Sequence, residues 1–152
     1  MDKNIVLTTV NDVSLVTLQG CPADVGYLSK ILNMIAQKGV NIDMISLSPS
    51  QGTIASISIT IADTDLGEIL PIVPIINKQP GIKTIISSGN CKISVYDARM
   101  KNTPGVAAKI FNAAAAVNTD IRIVTTSEVE VSILVTQADY METIESIQSA
   151  LE

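Results

Sequence analysis

Two close pairs of carboxylates, Asp63 with Asp65 and Glu128 with Glu130, are the first residues here that could do chemistry. Such pairs serve general acid–base catalysis when their surroundings keep one group protonated and the other ionised. The same spacing fits a helix cap for the aspartates and an exposed strand face for the glutamates. No catalytic partner supports the first reading. The chain has no histidine, which removes the commonest general base, the usual catalytic zinc ligand and any Ser-His-Asp or Cys-His arrangement. Cys21 and Cys91 stand 70 residues apart and read as free thiols. Neither a G-x-x-x-x-G-K-[ST] run nor a G-x-G-x-x-G run occurs, and no C-x-x-C pair. The sequence assigns no catalytic residue, no metal ligand and no cofactor.

Binding chemistry is better supplied. Gly26 and Gly105 each sit between a strand-like and a helix-like stretch, where a helix N-terminus offers free N–H groups and partial positive charge to a carboxylate. Either glycine also suits a tight turn with no ligand. Asp24 and Asp43 have the charge to meet a ligand's ammonium group, while Asp24 equally suits an N-cap and Asp43 a solvated strand face. Ser127 and Glu128, at a strand junction, carry the same two readings.

The elements that must position these residues come as a repeat. At an offset of 79, Val25-Gly26-Tyr27-Leu28-Ser29-Lys30-Ile31-Leu32-Asn33 lies over Pro104-Gly105-Val106-Ala107-Ala108-Lys109-Ile110-Phe111-Asn112, with Gly, Lys, Ile and Asn in register. The match runs on through Ile42/Ile121 to Ser48/Ser127, after which the first copy carries about five extra residues around Pro49 to Gly52. In the first copy, Leu15 to Leu18 reads as a strand, and Leu28, Ile31, Leu32 and Ile35 as the apolar face of a helix ending near Gly39. Strands follow at Ile42 to Leu47 and Ile57 to Ile61. Asp65 and Glu68 have capping-box spacing before a helix that Pro71 and Pro74 must kink or break. A last strand spans Ile82 to Ile86.

The second copy predicts strand Ile93 to Tyr96, helix Pro104 to Val117 with proline in its first turn, strands Ile121 to Thr125 and Val129 to Val135, and helix Asp139 to Leu151. Asp139 and Glu142 repeat the capping-box spacing, and the Ala113 to Ala116 run suits a close helix contact. The second copy lacks a sixth element, while an extra strand, Ile5 to Val10, precedes the first. The expectation is therefore an α+β protein of two ferredoxin-like βαββαβ domains with antiparallel sheets and helices on one face. Residues 11–88 form the first domain and 89–152 the second, completed by strand 4–10.

Composition narrows the partners. Hydrophobic residues make up 47% of the chain and aromatics only 3%, so the core must be aliphatic. A net charge of −5 with no basic run argues against nucleic acid. No apolar stretch approaches the roughly 18 residues of a membrane span, and Met1-Asp2-Lys3-Asn4 is unlike a signal peptide, which points to the cytoplasm. An exposed sheet edge in such small domains favours a homodimer.

The blocks Met100-Lys101-Asn102-Thr103-Pro104-Gly105-Val106-Ala107-Ala108-Lys109 and Thr126-Ser127-Glu128-Val129 resemble the second ACT domain of aspartokinases. Val40-Asn41-Ile42-Asp43-Met44-Ile45-Ser46 is similar to the family's first ACT domain. The resemblance implies a regulatory module that binds lysine or threonine and acts on an aspartate kinase catalytic chain, within one polypeptide or as a separate subunit. It implies effector contacts at Met100, Thr103, Gly105, Val106, Ala107, Asp120, Ile121, Ser127 and Glu128, and by position at Gly26, Tyr27, Leu28 and Asp43. Two departures stand out. Arg122 replaces an Asp of lysine-sensitive members, and Pro22-Ala23-Asp24-Val25-Gly26 shifts the acidic residue by one place.

Overall fold

In the computed structural model, which describes residues 4–49 and 52–152, the chain divides into two compact units. Asp12–Ser88 forms one, and Gly89–Glu152 forms the other with the segment ending at Asn11.

The first unit is built on strands β1 (Val6–Pro22), β2 (Ile45–Pro49), β3 (Ile54–Ala62) and β4 (Lys83–Tyr96), in the order β2-β3-β1-β4. β3 pairs antiparallel with both β1 and β2. Ile57, Ile59 and Ile61 alternate along β3 and all point into the core, the period-two pattern of a sheet with one covered face. Helix α1 (Val25–Gln37) covers that face, with Ile31 and Ile35 buried and Leu28 and Leu32 packed beside them.

The second helical region is broken, as its prolines require. A 3₁₀ turn at Asp63–Asp65 leads into α2 (Leu66–Ile69), another at Leu70–Ile72 leads into α3 (Val73–Ile76), and Pro71 and Pro74 occupy early positions in the last two pieces. Each proline removes a donor from the ladder, yet Ile69, Ile72 and Ile76 still recur at helical spacing and are buried. The core interaction survives the loss of a regular helix.

In the second unit the order is β1-β4-β6-β5, with β5 at Ile121–Thr126 and β6 at Glu130–Thr136. β6 pairs antiparallel with β4 and β5, and a register shift between Ile121 and Ile123 leaves Arg122 as the extra residue of a bulge. Helices α4 (Val106–Ala116) and α5 (Tyr140–Ala150) close over Ile93, Val95, Val131, Ile133 and Val135. Ala113 and Ala114 are buried, and the Ser146 hydroxyl donates to the Ala113 carbonyl at 2.8 Å, so the small side chains do allow close helix contact. Cys21 and Cys91 are buried thiols that form no disulfide; the Cys91 thiol donates to Gln137 Oε1 at 3.0 Å.

Several boundaries differ from the sequence reading. The strands expected at Ile5 to Val10 and Leu15 to Leu18 are one strand, β1, and those at Ile82 to Ile86 and Ile93 to Tyr96 are one strand, β4. Asp12 at φ +57° and Gly89 at φ +70° absorb local irregularity without ending the strand. β2 begins only at Ile45, because Asp43 and Met44 reach β3 through isolated bonds to Thr60. Pro104 lies outside α4, whose N-cap is Gly105. Neither capping box forms: the Asp65 and Asp139 side chains make no cap bond, and Asp139 Oδ2 instead accepts the Asp120 N–H at 2.8 Å. Ser50 and Gln51, within the expected insertion, lie outside the described residues.

Candidate functional site

The two helix N-termini that follow Asp24 and Pro104 are finished differently. At α1, Asp24 is in the extended region and its Oδ1 accepts the Gly26 N–H at 3.1 Å, an ordinary side-chain cap. At α4, the N-cap is Gly105 at φ +95°, which has no side chain with which to accept a hydrogen bond. The first-turn N–H groups of α4 therefore keep their donor capacity, with the helix dipole behind them.

A cleft of about 270 Å³ opens at that end of α4. One wall is a 3₁₀ turn, Ala98–Asn102, which brings Met100 and Thr103 forward; the Thr103 N–H donates to the Met100 carbonyl at 3.2 Å. The other wall is the turn from β5 to β6. Here the Ser127 N–H donates to the Glu130 carbonyl at 2.9 Å, and Ser127 Oγ accepts the Val129 N–H at 3.3 Å. Met100, Thr103, Gly105, Val106, Ala107, Ser127 and Glu128, all singled out in the sequence, line this cleft, and Pro104, Thr126 and Val131 complete it. It therefore combines helix N–H donors, three hydroxyl residues, one carboxylate and an apolar strip, which are the groups a small zwitterion with an apolar portion requires.

The remaining candidates lie elsewhere. Asp120 and Ile121 do not line the cleft: Asp120 Oδ2 accepts from Arg122 Nη1 at 3.2 Å, with both side chains exposed, and Ile121 packs on the second core. Arg122, turned outward by its bulge, neutralises Asp120 at the surface. In the first unit Tyr27 and Leu28 are half-buried against the core, while Gly26 and Asp43 are exposed. Tyr27 lines a separate cleft with Lys30, Met34, Ile75, Lys78 and Gln79. Gly26, Leu28 and Asp43 are not among its walls.

Nucleophilic chemistry has no support. Burial pushes the Cys21 thiol up, and burial followed by the neighbouring Cys21 pushes the Tyr27 phenol up, so both are protonated at neutral pH. Among the described residues no group of three or more His, Cys, Asp or Glu could hold a metal, and no helix is long and apolar enough to cross a membrane. The sequence reading missed Asp97 and Arg99, which lie beside the cleft. Arg99 Nε and Nη2 donate to the two carboxylate oxygens of Asp97 at 3.0 and 2.8 Å, and Oδ1 also accepts the Arg99 N–H. These bonds hold the Asp97 carboxyl below its usual range. An Asp-x-Arg at the end of a strand was the available signal, since a short acidic side chain there caps the turn that follows.

Comparison with known proteins identifies the domains. Two family models, both described as ACT domain, match residues 16–81 and 93–151. The chain is a tandem ACT-domain protein. An aspartokinase from Bacillus sp. (strain MGA3) is 30% identical to it over 159 residues, covering 100% of this chain and 38% of that protein. The tandem ACT protein thus spans well under half the length of that relative. The regulatory subunit of aspartate kinase from Thermus thermophilus, in a ligand-free form, matches at a TM-score of 0.88 and 23% identity, with 99% of this chain and 100% of that chain covered. Aspartate kinase from Clostridium acetobutylicum, described as an allosteric enzyme, matches at 0.83 and 26% identity over 96% of this chain and 34% of that one. The tandem ACT protein is similar along its whole length to a part of the Bacillus aspartokinase, and its α+β fold is that of two ferredoxin-like ACT domains.

Proposed function

We propose that this protein senses an amino acid, lysine or threonine, and passes the signal to an aspartate kinase catalytic chain in feedback control of aspartate-family biosynthesis. The observation that carries the reading is the cleft at the α4 N-terminus. Its helix end has no side-chain cap, and its walls combine Ser127, Glu128 and Thr103 with Met100 and Val106. The α-carboxylate of the effector takes the first-turn N–H groups of α4, as an anion does at any free helix end. The α-ammonium group pairs with Glu128 and the hydroxyl of Ser127 or Thr103. About 270 Å³ leaves room beyond that polar head for an effector side chain along Met100 and Val131. Arg122 does not repel a lysine there, because it lies outside the cleft and is paired with Asp120. The active form is a cytoplasmic homodimer.

Titration calorimetry of the chain with each of the twenty amino acids tests this. Saturable binding of lysine or threonine, weakened at least tenfold by Glu128→Ala, is expected; no binding of any amino acid at millimolar concentration sinks the sensing role. A second reading, a ligand-free ACT dimerisation scaffold, draws on edge strand β2, where Ile45 and Leu47 are each about half exposed. A constitutive dimer by ultracentrifugation that ignores every amino acid favours that scaffold.

A further inference from the structure

Asp97 follows the last residue of β4 and is a charged residue only 5% exposed, a placement that requires its carboxylate to be paired. Its bonds go to both walls of the α4 cleft. Towards the Met100 wall, its carbonyl accepts the Met100 N–H at 3.0 Å and Oδ1 accepts the Arg99 N–H at 2.9 Å. Towards the Glu128 wall, its own N–H donates to the Val129 carbonyl at 2.9 Å. The Arg99 guanidinium then locks the side chain in a two-point pair, the geometry in which arginine and carboxylate bind most specifically.

Asp97 and Arg99 do not line the α4 cleft; they line a second cavity of about 300 Å³ beside it, with Lys109 and Glu152, and Thr103 and Val106 belong to both. We infer that the Asp97–Arg99 pair is a clasp on the Met100 wall that fixes Asp97, whose backbone bond to Val129 joins the other wall, and so sets the spacing of the two, making both residues positioning residues for the effector rather than contacts to it. This rests on the sensing role proposed above. The geometry gives the pair leverage on affinity: a small zwitterion must meet α4 and Glu128 at once, and a wall displaced by about 1 Å forfeits one of the two.

The test uses the full chain with Arg99→Ala, Arg99→Lys and Asp97→Asn. Amide hydrogen exchange is read at Arg99, Met100 and Ser127, and lysine and threonine affinities are read by calorimetry. The clasp requires at least tenfold faster exchange at those three amides in all variants, with β6 core amides unchanged. Affinity should fall about tenfold, and Arg99→Lys should not rescue it, because an ammonium group cannot make the two-point pair. Unchanged exchange at the three amides, or exchange that rises equally across the unit, overturns the clasp. Unchanged affinity despite faster exchange overturns its positioning role. If the wild-type chain binds neither amino acid, the sensing role falls by that result alone, and the exchange pattern still decides whether the clasp exists.

Discussion

Gly20 and Gly105 both hold positive φ, at +74° and +95°, but an added methyl group meets very different surroundings at the two positions. A Cβ built at Gly105 finds nothing within 4 Å, whereas one at Gly20 would lie 2.3 Å from the Gly81 carbonyl oxygen. An L side chain in the left-handed region costs roughly 1–2 kcal/mol, and Gly105→Ala should cost only that. Gly20→Ala carries the same backbone penalty and must also push the Gly81 backbone back by about 1 Å, since ordinary contact begins near 3.4 Å. Forced overpacking adds roughly 1–3 kcal/mol, giving a total of about 2–5 kcal/mol. Urea unfolding of both variants followed by far-UV circular dichroism, with matched slopes, reads the difference. The ranking reverses for binding: Gly105 lines the α4 cleft, so its methyl group should weaken the effector, while Gly20→Ala should leave affinity intact wherever the chain remains folded. Equal stability losses, or a larger loss at Gly105, would refute the steric reasoning.

Other outcomes follow from single contacts. Asp24→Ala removes the cap on α1 and should cost about 1 kcal/mol, with faster exchange at the Gly26 amide but not at the Val106 amide. Ile133→Ala, at a core position 1% exposed, should cost about 2–5 kcal/mol and lower the unfolding midpoint accordingly. Asp97 gives a pH signature. Because Arg99 holds its carboxyl below the ordinary 3.8, the ionised form stabilises the folded chain above that value, and the contribution is lost as pH falls through the lowered folded value. The stability difference between wild type and Asp97→Asn should therefore be constant from pH 8 to 5 and shrink below about pH 4; a difference that grows on acidification contradicts this sign.

The fold class was legible because each core strand and helix carries its own periodicity: Ile57, Ile59 and Ile61 at period two, Leu28, Ile31, Leu32 and Ile35 at helical spacing. Strand lengths were not. Asn11-Asp12 and Ser88-Gly89-Asn90 look like turn residues, yet the flanking ladder carries the backbone through them, and local pattern cannot register a ladder formed by distant residues. The capping boxes failed for a related reason: Asp139 has the right spacing to Glu142, but the Asp120 N–H, 19 residues away, takes its carboxylate. The residues of the α4 cleft were named by resemblance, and so were Asp120 and Ile121, which lie outside that cleft. The bulge at Arg122 turns that stretch away, and a one-residue insertion in a ladder has no reliable trace in composition.

The way β1 is shared has a consequence during synthesis. Its first residues lie beside β4 and pack on the core of the unit that Gly89–Glu152 completes, so they cannot settle until β4 and the chain after it have left the ribosome. At roughly 5–20 residues per second, that leaves Val6 to Asn11 waiting on the order of ten seconds or longer, while Asp12–Ser88 already has every strand it needs. An apolar strand with open edges during that interval invites pairing with the wrong chain. Thr8, Thr9 and Asn11, set among Val6, Leu7 and Val10, keep the waiting segment from being uniformly sticky. Replacing Thr8 and Thr9 with valine, while keeping Asn11, whose Oδ1 accepts the Cys91 thiol at 3.3 Å, should leave the finished protein's contacts largely intact and lower the yield of soluble chain.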